Sequence, residues 1–292
     1  MISRIQLIDT HAHLCDPQFD EDRSAVLERA QSKGIQWIVE IGESPESWEK
    51  AKQFAEDSHS DLKTSFHTDW GSQALRTQLQ KPLAFWTCGF HPHYAQRMDQ
   101  FDFGIMTKFA FSPLCVAIGE IGLDFVKSTA SREDQISLFR KCLEVAAELN
   151  KPVVIHCREA QADTLRILKS FFGGMGRKDI CPGVIHCFSG DLGFAEGCMD
   201  LGFYLGVDGP LTYPSAKNLR EVLSKAPENK IVLETDAPYL PPQGYRGKRN
   251  ESSYLILIAE ALANLYGKSL DEIARITTQN ALKLFRLHEY NK

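Results

Sequence analysis

No apolar stretch in these 292 residues is long enough to span a bilayer. The opening segment, Met1-Ile2-Ser3-Arg4-Ile5-Gln6-Leu7-Ile8, has too short an apolar run for a secretory signal before it meets Asp9. Neither membrane insertion nor export is therefore expected. The eight cysteines contain no Cys-x-x-Cys pair, which removes the usual zinc-ribbon and dithiol-redox spacings. Cys88, Cys157 and Cys187 lie inside apolar runs, where a thiol packs as a small buried side chain, and the expected compartment is a reducing cytoplasm. Positive charge is not in excess either. A formal net charge of -5 gives no long-range attraction for nucleic acid, so a polyanionic substrate would have to be held by local groups and by metal. No repeat with a period of 20 to 50 residues is present beyond a strand and helix alternation.

What the chain does have is the composition of a soluble globular protein, 43% hydrophobic and 24% charged, with length for one barrel or two smaller domains. Strand-like runs occur at Gln6 to His13, Ile35 to Ile41, Leu83 to Phe90, Val116 to Ile121, Pro152 to His156, Gly183 to His186, Phe203 to Val207 and Ile231 to Thr235. Helical patterns fit Asp22 to Lys33, Pro45 to Ala55, Arg132 to Asn150, Asp163 to Phe171, Asp191 to Leu201, Ala216 to Ala226 and Ser253 to Tyr266. In Arg132 to Asn150 the apolar residues Ile136, Phe139, Leu143, Ala146, Ala147 and Leu149 fall mostly at helical spacing, giving one core-facing stripe. Alternation of this kind predicts a parallel sheet, and the strand count predicts an α/β protein built as a single-domain (β/α)8 TIM barrel over 1–292. Residues 58–82 are polar, with a Gln-rich end, and are expected to form a surface insertion. The tail at 269–292 is expected to be a helix pair on the outside of the barrel.

The chemistry-bearing residues stand at the downstream ends of the strand-like runs. A barrel of this type gathers those ends on one face, so residues far apart in sequence converge there. In Asp9-Thr10-His11-Ala12-His13, alternation predicts that Asp9, His11 and His13 all face the lumen. Taken alone, a His-x-His pair is equally a pair of hydrogen-bonded histidines, and Asp9 equally a supporting or structural carboxylate. His156 ends Pro152 to His156 and His186 ends Gly183 to His186. Each is followed by a cysteine that alternation turns outward into packing.

Glu120 lies between two glycines in an apolar run, where an unpaired carboxylate would cost several kcal/mol. It is the candidate bridge between two metal ions, since one anion there neutralises part of both charges. Asp236 ends Ile231-Val232-Leu233-Glu234-Thr235 and is the candidate ligand and general base, with Glu234 on the same face in a supporting role. Glu120 and Asp236 are therefore the candidate catalytic residues. Four histidines and two carboxylates suit two divalent ions of Zn, Mn, Co or Fe better than the all-oxygen sites usual for Mg or Ca, although Mg is kept among the alternatives. Ions of this kind activate water and so supply a nucleophile for hydrolysis. His91 and His93 of Gly89-Phe90-His91-Pro92-His93, and Arg246 and Arg249 of the basic loop Tyr239 to Asn250, are the candidate substrate-binding residues. A solvated basic loop is the plain alternative for the arginines.

These motifs, together with Gly119 to Asp124, His156-Cys157-Arg158-Glu159-Ala160, His186-Cys187-Phe188-Ser189-Gly190 and Glu234 to Leu240, resemble the TatD family of metal-dependent deoxyribonucleases in the amidohydrolase superfamily. The likeness covers about residues 7–285. It implies a TIM barrel, a two-metal site with His11, His13, Glu120, His156, His186 and Asp236 as ligands, and hydrolysis of DNA, in this family from a strand end. It also places His91 and His93 in the substrate region.

Three features depart from the pattern: the length of 58–82, Asp208 where a small neutral residue is common, and Ser252 where proline is frequent. An acid at Asp208, if it faced the mouth, would disfavour a polyanion. Two other readings stand beside the nuclease. One is hydrolysis of a small amide, lactone or ester on the same barrel. The other is a non-catalytic, metal-stabilised binding protein. No membrane and no protein partner are indicated.

Overall fold

A computed structural model describes residues 5–60, 81–173 and 182–287 of the chain. Eight strands form one parallel sheet in sequence order: β1 (Leu7–Ala12), β2 (Ile35–Glu40), β3 (Leu83–Cys88), β4 (Cys115–Asp124), β5 (Val153–Arg158), β6 (Val184–Ile185), β7 (Tyr204–Val207) and β8 (Ile231–Leu233). The ring closes where Ala12 pairs with Ala237, with the His13 N–H donating to the Ala237 carbonyl at 2.7 Å. Both faces of these strands are covered, which is why they read as nearly continuous apolar runs.

Around the ring lie α1 (Arg23–Ser32), α2 (Pro45–Ser58), α3 (Phe103–Ala110), α4 (Arg132–Glu148), α5 (Gln161–Phe172), α6 (Leu192–Asp200), α7 (Lys217–Lys225), α8 (Leu255–Tyr266) and α9 (Leu270–Leu284). Their starts follow local chemistry. Ser44 caps α2 with Pro45 at the first helical position, and Ser269 and Glu272 close a capping box on α9. The apolar stripe of α4 buries Leu138, Phe139, Cys142, Leu143 and Ala146 against the sheet. Truncating fully buried Phe139 to alanine would cost about 3–5 kcal/mol.

Two apolar clusters result. One fills the space between sheet and helices. The other joins residues from every strand, among them Ile8, Val39, Phe85, Ala117, Val154, Val184, Tyr204 and Val232, to Ala281, Leu284, Phe285 and Leu287. The end of α9 and the residues after it thus pack on this second cluster.

All eight expected strands are present and the fold is the single-domain (β/α)8 barrel. The tail differs: its described part is one helix, Leu270–Leu284, packed beside α8 and β1, where a pair was expected. Helix α3 carries no clear stripe in sequence, Phe-Gly-Ile-Met-Thr-Lys-Phe-Ala, and was not expected. The insertion expected at 58–82 falls on 61–80, which lie outside the described residues, while Ser58 still belongs to α2. Among the described residues the cysteines are free, and no helix is long and apolar enough to cross a membrane.

Candidate metal centre

The strand ends deliver their side chains to one place because every strand is parallel to its neighbour. Glu120 is the hub. Its Oε1 lies 2.6 Å from His156 Nδ1 and 3.0 Å from His186 Nε2, while its Oε2 lies 3.5 Å from His11 Nε2. Asp236 Oδ1 reaches both His11 Nε2 and His13 Nε2 at 3.5 Å, and those two nitrogens are 3.2 Å apart. Three overlapping donor groups follow, each with its ligand atoms within 4.8 Å of one another: His11, His13 and Glu120; His11, His186 and Asp236; His91, Glu120 and His156. The six expected ligands are thus brought together, with His91 beside them.

The backbone is shaped to allow this. The β1 register is irregular between Asp9 and Ala12, which turns His11 to the mouth. Asp236 has φ 57°, a left-handed conformation that an aspartate tolerates and that aims its carboxylate back over β1. Gly122 has φ 143°, and a Cβ there would collide with the His156 carbonyl, so glycine is required where β4 and β5 run closest.

Electrostatics fit a cation-binding site. Burial disfavours the Glu120 carboxylate, but His186, His11 and His156 outweigh it and hold Glu120 well below the usual carboxylate range. Burial likewise opposes a charged His13, yet Asp236, Glu43 and Glu120 raise it to about 9. His186 is raised well above its usual range, against burial, by Glu120 and Glu234. Protons on imidazoles here do what divalent ions do elsewhere, balancing buried carboxylates. A set of imidazole and carboxylate donors around one shared, fully enclosed carboxylate fits a pair of such ions.

Supporting groups fix the candidate ligands. Asp124 Oδ1 accepts the amides of Val126 and Lys127 at 2.9 and 2.7 Å, and its Oδ2 faces His156 Nε2 at 3.3 Å. His156 thus faces Asp124 through Nε2 and Glu120 through Nδ1, and the two carboxylates raise it against burial. Despite burial, His156 and the two amides hold Asp124 well below the usual range. His91 Nδ1 accepts the His93 amide at 3.2 Å, so the neutral ring carries its proton on Nε2, 3.7 Å from Glu120 Oε1. Burial lowers His91 to about 3, which keeps the ring neutral and makes it a hydrogen-bond donor into the site. Glu234 accepts the Cys187 amide through Oε1 and lies 3.5 Å from His186 Nδ1. The Glu43 carboxyl is raised by burial, with His13 and His93 acting against the rise.

Several expectations need correction. Of the two roles open to Asp9, the structure favours the supporting one: its carboxylate accepts the Thr235 amide and hydroxyl at 3.0 and 2.7 Å, bracing the residue before Asp236. Cys187 does not point outward. With φ 44° it sits among Glu234 and Asp208, its amide donating to Glu234. Cys157 packs on Thr164 and Cys198, as expected. Asp208 is 1% exposed, and burial raises its carboxyl well above the usual range.

Arg249 is committed elsewhere. It forms a two-pronged ion pair with Asp22 at 2.9 and 2.7 Å, donates to the Gln18 carbonyl and stacks on Phe19. Arg246 is exposed, with its guanidinium 4.8 Å from the centre of the Tyr213 ring. His93 stands at the edge, its Nε2 3.4 Å from Asp124.

Asp124 and Glu43 were missed as site residues. Asp124 carried a usable signal, an acid four places after Glu120 on the same strand. Glu43 follows β2 in a loop whose direction the sequence does not reveal.

Comparison with known proteins agrees with this geometry. Residues 8–286 match the family described as TatD related DNase. The metal-dependent hydrolase YabD of Bacillus subtilis is 34% identical over 97% of this chain and all of its own. The 3'-5' ssDNA/RNA exonuclease TatD of Pantoea vagans is 32% identical over 96% of this chain and all of its own. The crystal structure of YJJV, a TatD homolog from Escherichia coli, superposes with a TM-score of 0.75 at 29% identity, covering 97% of this chain and 98% of its own. A match spanning nearly every described strand and all six expected ligands decides the matter: the chain belongs to the TatD-related DNase family.

Proposed function

We propose that this protein is a metal-dependent exonuclease that hydrolyses phosphodiester bonds of single-stranded DNA from a strand end. The observation that carries the reading is Glu120, reached at one oxygen by His156 and His186 and at the other by His11. On this reading His11, His13, His156, His186 and Asp236, gathered around Glu120, would hold the ions. Such a pair supplies positive charge to the phosphoryl oxygens and an activated water.

The chain's own groups do the remaining work. Asp236 takes the proton of the attacking water, since its carboxylate stands between His11 and His13 and is partly open to solvent. His91 donates its Nε2 proton to a phosphoryl oxygen, and Arg246 and His93 contact the phosphate of the neighbouring nucleotide. The exonuclease activity named for the Pantoea relative supports the substrate class. The phosphotriesterase and lactonase structures that share this fold at 12–14% identity support the barrel alone.

The test is turnover of Zn-, Mn-, Co-, Fe- and Mg-loaded protein on single-stranded DNA, a generic phosphodiester and a lactone panel. The expected result is release of mononucleotides, with Asp236→Asn lowering kcat by about 10²–10⁴-fold while KM changes far less. Lactone turnover without mononucleotide release would favour the small-substrate hydrolase. Metal uptake with no turnover on any substrate would favour the binding protein.

A further inference from the structure

Large apolar side chains that stand half-exposed are few among the described residues: Ile105, Phe111, Val126 and Tyr239. Ile105 and Phe111 belong to α3 and its cap, on the outer layer of the barrel. Tyr239 is different, because it is an aromatic ring three residues past Asp236, at the metal centre.

The ring is held where it is. The Tyr239 amide donates to the Asp236 carbonyl at 2.8 Å, and its own carbonyl accepts from Asn250 Nδ2 at 2.6 Å. Asn250 is fully buried and also donates to the Thr235 carbonyl at 2.8 Å, so both ends of this segment are tied to the strand that presents Asp236. At its far end the phenol lies near the acidic Asp16 of the β1 exit loop. Anchored at the backbone, the residue still leaves 49% of its surface exposed. Its centre is 5.8 Å from that of the His13 imidazole, with the planes at 70°, so the two rings meet edge to face.

A soluble protein gains nothing in stability by fixing an aromatic face in water at such a place. An aromatic ring is, however, the usual surface on which an unpaired base stacks, and it does so with little regard to base identity. A cation of the same segment, exposed Arg246 over Tyr213, stands a few residues further on, where it would meet a phosphate.

We infer that Tyr239 is the stacking platform for the base of the nucleotide whose phosphodiester lies at the metal centre, so that the site selects nucleotides carrying an intact, unpaired base. The inference rests on the nuclease reading above and extends it to what is recognised. A base inside a duplex already has both faces covered by its neighbours, so this device favours single strands.

The test compares single-stranded oligonucleotides ending in a normal nucleotide with the same strands ending in an abasic one. Alongside it, a 2-aminopurine deoxynucleoside monophosphate is titrated with the metal-loaded protein. In the wild type, the normal end should be favoured in kcat/KM by about 5- to 100-fold, the range that loss of one stacked base produces. The 2-aminopurine fluorescence should be quenched on binding. Tyr239→Ala should close the gap between the two substrates and abolish the quenching at unchanged metal content, while Tyr239→Phe and Tyr239→Trp keep both.

Tyr239→Ala losing activity equally on both substrates would overturn the inference, because the ring would then be serving His13 and not the base. An undiminished gap in Tyr239→Ala would overturn it as well. If no oligonucleotide is cleaved yet 2-aminopurine is quenched in a Tyr239-dependent way, the nuclease reading fails and the platform stands.

Discussion

The Glu40 carboxylate accepts the amide N–H groups of Leu14 and Cys15 at 2.7 and 2.9 Å, and so ties the exit of β1 to the end of β2. Burial raises it to about 7, against the pull of those amides and of His13. An acid raised in the folded state binds its proton more tightly there than in the unfolded chain. Its contribution to stability is therefore complete below about pH 4.5 and is lost as pH rises through about 7, with an upper bound of about 3 kcal/mol. In chelator-treated protein, Glu40→Gln should flatten the fall in unfolding free energy between pH 5 and 8, measured by urea denaturation; an unchanged slope would refute the assignment. Other residues show what sequence can and cannot reveal. His11, His156 and His186 were legible because each ends an apolar run. Cys187 was misread because alternation assumes a regular strand, whereas Cys187 has a left-handed backbone.

At the level of elements, the segment after β8 is fastened to α1 by two arginines from opposite sides. Arg249 of the segment pairs with Asp22 before α1, and Arg29 of α1 pairs through two prongs with Glu251. These partners are more than 220 positions apart. That distance is why Arg249 read as a free basic residue: nothing local announces a carboxylate so remote in sequence. Arg249→Ala should lower Tm by only about 2–4 °C, because Arg29 remains and both Arg249 and Asp22 are partly solvated, while KM for single-stranded DNA moves little. Arg246→Ala should leave Tm unchanged and raise KM several-fold. Thermal melts beside steady-state kinetics separate the two, and the reverse pattern would restore Arg249 to the substrate site. The barrel order itself was legible, since strand-like runs alternating with helices leave few alternatives. Helix α3 was not, because eight mostly apolar residues carry no contrast between faces.

For the whole molecule, a formal net charge of -5 gives no long-range attraction for a polyanion, and the structure leaves Arg246 and Lys248 as the cations of the basic loop after Arg249 is paired. Two phosphate contacts on a single strand predict a slope of about -1.4 for log affinity against log salt, measured by fluorescence anisotropy. A slope several times steeper would reveal a basic surface elsewhere. The barrel then acts as a rigid ring that holds Glu120 between two groups of histidines, and that sharing is the centre of the account. It is tested most directly by titrating Mn²⁺ into chelator-treated protein and counting ions bound per chain. Wild type should take up two, His156→Ala should weaken one site, and Glu120→Gln should weaken both by more than about tenfold, as loss of a shared ligand requires. Two ions bound by Glu120→Gln at undiminished affinity would contradict it.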